Sequence, residues 1–309
     1  MKKIFKMTLF ILGLILFLFL LNYARIIIFY MYHKGEYQDA FPIYGNQNHY
    51  VPQGLTYSEK YNIVLQTSYQ SDHDVSMLYV IDFEKKELIK SIMLRDMNGL
   101  DNTHHVGGIT TDNQTVWISN DYQIEEYSLE EILNTEDNFV QAKKIMKLPI
   151  RGDFCTYHDG YLWIGDFYLK PFYDVPDGNP LLLGYLVEEN VEYSSPELAI
   201  SLPKMVQGLT FDQEHHFVVT ESFTYLINSN FSIYEDVTKS RSQDTITVSG
   251  KTIPYYDLKK HFIKNIKMPP MAEALFYLNG EYYILFESST DHYSMAYPKI
   301  QNVIRYKEK

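Results

Sequence analysis

A segment of about sixteen residues returns five times along the chain, and that repetition constrains the fold more than any other feature. The copies are VPQGLTYSEKYNIVLQTS (Val51 to Ser68), HVGGITTDNQTVWISN (His105 to Asn120), RGDFCTYHDGYLWIGD (Arg151 to Asp166), VQGLTFDQEHHFVVTE (Val206 to Glu221) and MAEALFYLNGEYYILFE (Met271 to Glu287). Each opens on a small or polar residue, then runs through a short apolar stretch and a polar turn. A second stretch of β-branched and aromatic residues follows, the pattern of a β-hairpin. Successive copies begin about 45 to 65 residues apart, the period of propeller blades or solenoid units.

Between hairpins there is room for two more strands, which predicts an all-β chain of four-stranded blades. Five units fill residues 34–309, so the expected architecture is a five-bladed β-propeller. A six-bladed ring is the alternative, because Thr238 to Ile253 is long enough to hold an insertion or a degenerate blade. The fifth unit has one strand, NVIRYKE (Asn302 to Glu308), after its hairpin. Ala40 to Tyr44 is expected to supply its outer strand and to close the ring, which removes exposed sheet edges. The aromatic content of 16%, with 28 Tyr, suits half-buried sheet surfaces. A lone cysteine, Cys155, excludes an intramolecular disulfide. Flanked by Phe154 and Thr156 in an inner strand, it reads as a small buried hydrophobe rather than a nucleophile.

Residues 1–33 read as a membrane anchor. Met7 to Tyr32 is apolar apart from Asn22 and Arg25, and it is long enough to cross a hydrocarbon core of about 30 Å. No small-residue cleavage site follows the apolar run, so an uncleaved signal anchor is expected, with a cleaved signal peptide as the alternative. Lys2, Lys3 and Lys6 place the N-terminus in the cytoplasm and residues 34–309 outside it. From residue 34 onward the chain holds 23 Lys and Arg against 39 Asp and Glu. So acidic a domain is a poor partner for nucleic acid, which requires a basic surface.

The small-residue turn followed by an apolar run that opens each unit resembles the gluconolactonase, paraoxonase, strictosidine synthase and NHL-repeat propellers. The stretch MPPMAEALFYLNGEYYILFESS (Met268 to Ser289) more closely resembles the last blade of uncharacterised bacterial propellers that are secreted or membrane-anchored. The calcium-dependent hydrolases of the wider group imply a channel-mouth glutamate, asparagines and an aspartate as metal ligands. Glu273 stands where that glutamate would, whereas the asparagines have no matched positions here.

Overlaying the hairpins puts Gln53, Gly107, Gly152, Gln207 and Glu273 at one position on the inner strands, where they are expected to line the channel. The ends of the second strands give Ser68, Asn120, Asp166, Glu221 and Glu287, and His104, His105, Arg151 and Asp153 lie beside the inner strands. If both sets meet at one rim, Glu273, Glu221, Asp166 and Glu287 would form an oxygen-rich site for Ca²⁺ or Mg²⁺. His105 would then be a general base and Glu273 the second catalytic candidate. The alternative is that these acids are separate loop carboxylates paired with Arg151, Lys204 and water. The histidine pair His215-His216 falls in a turn and reads as solvated. Nothing resembles a G-x-S-x-G elbow or a nucleotide-binding glycine loop.

Three functions fit these residues. The preferred one is a binding module at the cell envelope for a protein, peptide or glycan. The others are a Ca²⁺-dependent hydrolase or lactonase at the channel mouth and a glycan-cleaving enzyme with two facing carboxylates.

Overall fold

The computed structural model describes residues 2–72, 74–188, 195–242 and 244–308. Five sheets, each built on four antiparallel strands, form the blades of a five-bladed β-propeller, and each predicted hairpin supplies the two innermost strands of one blade. Blade 1 runs outward through Tyr50–Ser58, Ile63–Gln70, Met77–Asp82 and Glu87–Arg95. Blade 2 comprises Gly108–Thr111, Thr115–Asn120, Gln123–Ser128 and Lys144–Lys147. Blade 3 comprises Phe154–His158, Tyr161–Gly165, Leu181–Leu186 and Leu198–Ser201. Blade 4 comprises Val206–Phe211, Phe217–Glu221, Ser229–Tyr234 and Phe262–Met268. In blade 5, Ala272–Leu278, Glu281–Phe286 and Asn302–Tyr306 are completed by Gln38–Pro42 from the start of the domain, with Gln38 opposite Arg305 and Pro42 opposite Asn302. The ends of the chain thus close the ring as expected.

The long excursion in the fourth unit is an insertion and not a sixth blade. Asp244–Val248 and Lys251–Asp257 form a hairpin that lies parallel to Leu198–Ser201 and widens blade 3 at its outer edge. Ile253 and Val248 are buried in the seam between blades 2 and 3. The hairpin thereby covers an edge that would otherwise offer unpaired backbone groups.

Five apolar clusters hold the blades, one at each blade-to-blade seam. Leu65 and Ile118 meet between blades 1 and 2, Trp117 and Leu162 between 2 and 3, and Phe154 and Phe217 between 3 and 4. Phe231 and Ile284 meet between blades 4 and 5, and Phe41 and Val64 close the circle between 5 and 1. Because a central strand is covered on both faces by neighbouring blades, it reads as a near-continuous apolar run. Cys155 belongs to such a seam, where its thiol donates weakly to the Trp117 carbonyl and burial pushes its pKa up to about 12.

All five inner strands run in one direction. The rim at which they begin also receives the ends of the second strands, so two sets of connecting segments crowd this entry rim while the hairpin turns occupy the opposite face. At mid-height the inner strands close the channel to a cavity of about 30 Å³ lined by residues such as Leu55, Gly107, Phe154 and Gly208. That is room for roughly one or two waters. The channel is therefore a cup opening at the rim rather than a pore.

Lys2–His33 forms a helix long and apolar enough to cross a membrane. Residues 3–18 are exposed all round. The second half packs on blades 4 and 5: Asn22 Nδ2 donates to the Leu226 carbonyl (2.7 Å) and the Tyr23 hydroxyl to that of Met295 (3.3 Å). Ile26 is fully buried, and Tyr23 and Tyr30 both lie against the Tyr297 ring. The helix thus descends the side of the propeller from the entry rim and is not lipid-facing over its whole length.

Candidate functional site

Blade 5 contributes two glutamates to the cup. Glu273 lies near the start of the inner strand and Glu287 just past the end of the second, and Ala272 pairs with Phe286 between them. They are 4% and 6% exposed, and their carboxyl groups lie within hydrogen-bonding reach of each other. Two carboxylates cannot both ionise at such contact in a site this dry, so the pair retains a proton. Burial is the first cause in each case: it pushes Glu287 up to about 7 and Glu273 well above the usual carboxylate range, the latter also repelled by Glu287.

Two amides flank the pair from other blades. Gln53 Nε2 of blade 1 donates to Glu287 Oε2 at 3.4 Å, and Gln207 Nε2 of blade 4 donates to Glu273 Oε1 at 3.2 Å. The Tyr293 hydroxyl lies within hydrogen-bonding reach of Glu287 and of the Tyr69 hydroxyl. Burial raises the pKa of both tyrosines, so they stay neutral. Tyr69 in turn packs on the His105 ring with centroids 4.5 Å apart. His105 is exposed in the mouth of the cup. Neighbouring atoms crowd its ring, and with Arg151 nearby they hold its pKa below the ordinary histidine value.

Asp166 and Glu221 do not join the Glu273–Glu287 pair. Asp166 Oδ1 accepts from the Leu181 amide at 2.6 Å, and burial, with Asp153 adding to it, pushes its pKa up to about 8. It belongs to a second group in which Arg151 Nη2 donates to Asp153 Oδ1 (2.6 Å) and the Phe167 amide donates to Asp153 Oδ2 (2.7 Å). The Arg151 guanidinium also lies 5.3 Å from the centre of the Tyr173 ring. Glu221 accepts from Asn230 (3.2 Å) and Tyr234 (3.4 Å) within its own blade. Gly107 lies where a Cβ would come within 2.2 Å of the Asp153 carbonyl oxygen, and a Cβ on Gly152 would meet Leu148. Gly107 thus allows backbone approach between blades 2 and 3, while Gly152 leaves room for the Leu148 and Ser119 side chains. His104 bonds Asp121 at 3.2 Å at the outer edge of the rim.

Sequence patterns miss Tyr69 and Tyr293, which lie outside the repeated segment. They also miss the relation of His215 to the turn of blade 3: it touches His158 and Asp159 instead of pointing freely into solvent.

The dyad presents a proton donor and an acceptor side by side, with amide and phenol groups around them. Such a set can bind hydroxyl, amide or ammonium groups. Its atoms are also hard-donor oxygens, although the two glutamines here turn their NH₂ groups toward the carboxyls.

No protein-family profile and no curated protein matches the chain. Among solved structures it is similar to glutaminyl cyclase of Myxococcus xanthus, at 8% identity and TM-score 0.48, covering 86% of this chain and 91% of that one. It is similar to the PQQ-bound aldose sugar dehydrogenase of Streptomyces coelicolor, at 13% identity and TM-score 0.48, over 81% and 76% of the two chains. A nidogen/laminin complex gives 11% identity and TM-score 0.41, over 83% of each.

Proposed function

We propose that the protein is a membrane-anchored binding module of the cell envelope, its propeller on the extracytoplasmic side with the channel mouth turned toward the bilayer. The observation that carries this reading is the departure point of the helix. Asn22 and Tyr23 bond to loops of the same rim on which the Glu273–Glu287 pair opens, and the preceding helix is free of the propeller. From Lys3 to Leu21 that free length is roughly 28 Å at 1.5 Å per residue, close to the thickness of a hydrocarbon core. A helix leaving from this rim brings the rim down to the membrane surface. Phe172, Phe223, Ile227 and Met295 are exposed there, as suits an interfacial position.

The three N-terminal lysines favour a cytoplasmic N-terminus. An uncleaved anchor is supported by the packing of Ile26 and of Tyr23 and Tyr30 on Tyr297, since cleavage would uncover that seam. The ligand class is an envelope glycan or peptide held near the bilayer, recognised through hydroxyl and amide groups. The test is binding of envelope glycan and peptide fragments to full-length protein in nanodiscs, compared with Glu287→Ala. An environment-sensitive label at Phe223→Cys reports bilayer contact in the same particles. Fragment binding lost in the alanine variant, with an apolar label signal, is expected; a fully aqueous label signal refutes the orientation, and binding unchanged by Glu287→Ala refutes the site.

A metal-dependent hydrolase is the second reading, favoured by the oxygen donors of Glu273, Glu287, Gln53 and Gln207. With both amides turned, these four would offer oxygens alone, the donors Ca²⁺ takes, and the ion would supply the charge that lets both carboxyls ionise. Neutral His105 could then accept a proton. Calorimetric titration of Ca²⁺, with Mg²⁺ as control, into wild type and Glu273→Gln distinguishes the readings. A glycosidase is not supported by this pair, whose carboxyls lie within hydrogen-bonding reach, closer than the roughly 5–9.5 Å separation such enzymes use.

A further inference from the structure

On the face opposite the channel mouth, the hairpin turns of blades 3 and 4 bring three metal-ligating side chains to one point. His158 Nε2 lies 3.0 Å from His215 Nδ1, His215 Nδ1 lies 3.0 Å from Asp159 Oδ2, and His158 Nε2 lies 3.4 Å from that oxygen. We propose that His158, Asp159 and His215 form a binding site for zinc or a similar divalent transition metal, which ties blade 3 to blade 4 and keeps its fourth position open to water.

The spacing is the first argument. A tetrahedral ion with bonds of about 2.0–2.1 Å to nitrogen and oxygen holds its ligand atoms roughly 3.3–3.4 Å apart. The three atoms here define a triangle of nearly that size. Proton bookkeeping is the second. A neutral imidazole donates from one nitrogen only, yet His215 Nδ1 faces two acceptors, the His158 nitrogen and the Asp159 oxygen. One proton there serves both poorly, and a proton on each facing nitrogen would set two N–H groups against each other at 3.0 Å. A cation taking all three lone pairs removes the conflict.

The groups are also held in place. His158 stacks on Phe211 with centroids 4.2 Å apart and planes within 7°, so its ring direction is fixed, as metal-ligating imidazoles require. Asp159 and His215 sit at left-handed turn positions, φ 48° and 63°, and the His215 amide closes its turn on the Asp212 carbonyl at 3.1 Å. Among the described residues no other group of three or more His, Cys, Asp or Glu brings ligand atoms so close. The nitrogen-rich donors select a borderline transition metal, unlike the oxygen set at the channel mouth.

The test is titration of chelator-stripped, full-length protein in detergent with Co²⁺, followed by displacement with Zn²⁺. The expected result is a tetrahedral d–d absorption band that saturates at one equivalent, is abolished by Zn²⁺, and is accompanied by a higher melting temperature. His215→Asn, which tolerates the left-handed turn, and Asp159→Asn should each weaken binding about tenfold or more. Glu273→Gln should bind as wild type. No band at one equivalent overturns the site, as does a band unchanged in both turn variants. A band lost in Glu273→Gln overturns it too, by locating the metal at the channel mouth.

Discussion

Glu273 and Glu287 face each other across the two inner strands of blade 5 and hold a proton between them in a site from which nearly all solvent is excluded. Unfolded, both titrate near 4.5; folded, Glu287 titrates at about 7 and Glu273 is pushed well above the usual carboxylate range by burial and by Glu287. Between those values the native state binds more protons than the unfolded chain, so stability is greatest on the acid side and falls as pH rises. Glu273→Gln keeps the shape and the hydrogen bond but removes one titrating group. Its melting temperature should therefore fall less than that of wild type between about pH 5 and about pH 8. Parallel melting curves for the two proteins would refute the shared proton.

Gly107, immediately before the inner strand of blade 2, lies against the backbone of Asp153, immediately before that of blade 3. A Cβ there would stand 2.2 Å from the Asp153 carbonyl oxygen, and backbone cannot swing aside as a flexible side chain can. Gly107→Ala should cost about 1–3 kcal/mol in denaturant unfolding. Gly35→Ala, with open space around it, should lie within about 0.5 kcal/mol of wild type. Because Asp153 is bonded to Arg151, the Gly107 variant should also disturb the channel mouth.

The hairpins, the five blades and the closure by the segment around Phe41 were legible because an inner strand buried between two blades must be apolar throughout, and the repeat preserves that demand. The candidate site was legible only in part. Positions equivalent in sequence are related by rotation about the channel, so they meet only if they lie close to its axis. Gln53, Gln207 and Glu273 do; of the second-strand ends, Glu287 turns inward to Glu273 of its own blade and to Gln53, whereas Glu221 turns to Asn230 and Tyr234. Tyr69 and Tyr293 lie in segments between second and third strands, where neither period nor composition signals a shared destination. His158 and His215 are 57 residues apart, and two polar turns carry no mark that their tips touch.

Closure of the ring rests on one short strand. Phe41 is 2% exposed and packs near Phe83 and Tyr283, at 6.2 and 6.4 Å between centroids. Phe41→Ala should therefore cost about 3–5 kcal/mol and lower the melting temperature of the whole domain. Phe262, on the outer strand of blade 4 and 53% exposed, is the comparison: its alanine variant should cost less than about 1 kcal/mol. Equal losses would mean that the N-terminal strand does not lock the ring.

Arg151 is the cation that makes the second acidic group tenable. It donates to Asp153 at 2.6 Å, and its charge lowers the pKa of both Asp153 and Asp166 against the upward push of burial. Arg151→Met keeps the volume and removes the charge, which leaves a buried carboxylate without its partner and should cost about 3–5 kcal/mol. Without the guanidinium the two aspartates retain protons to higher pH, so native stability is lost as pH rises through their raised pKa values. The deficit of the variant should thus be smaller in acid than near neutrality, as read from denaturant midpoints across that range. Adding Asp153→Asn, which supplies a neutral acceptor for the Phe167 amide, should restore much of the loss. A deficit independent of pH and not relieved by the second substitution would assign Arg151 to packing against Tyr173 instead of to charge.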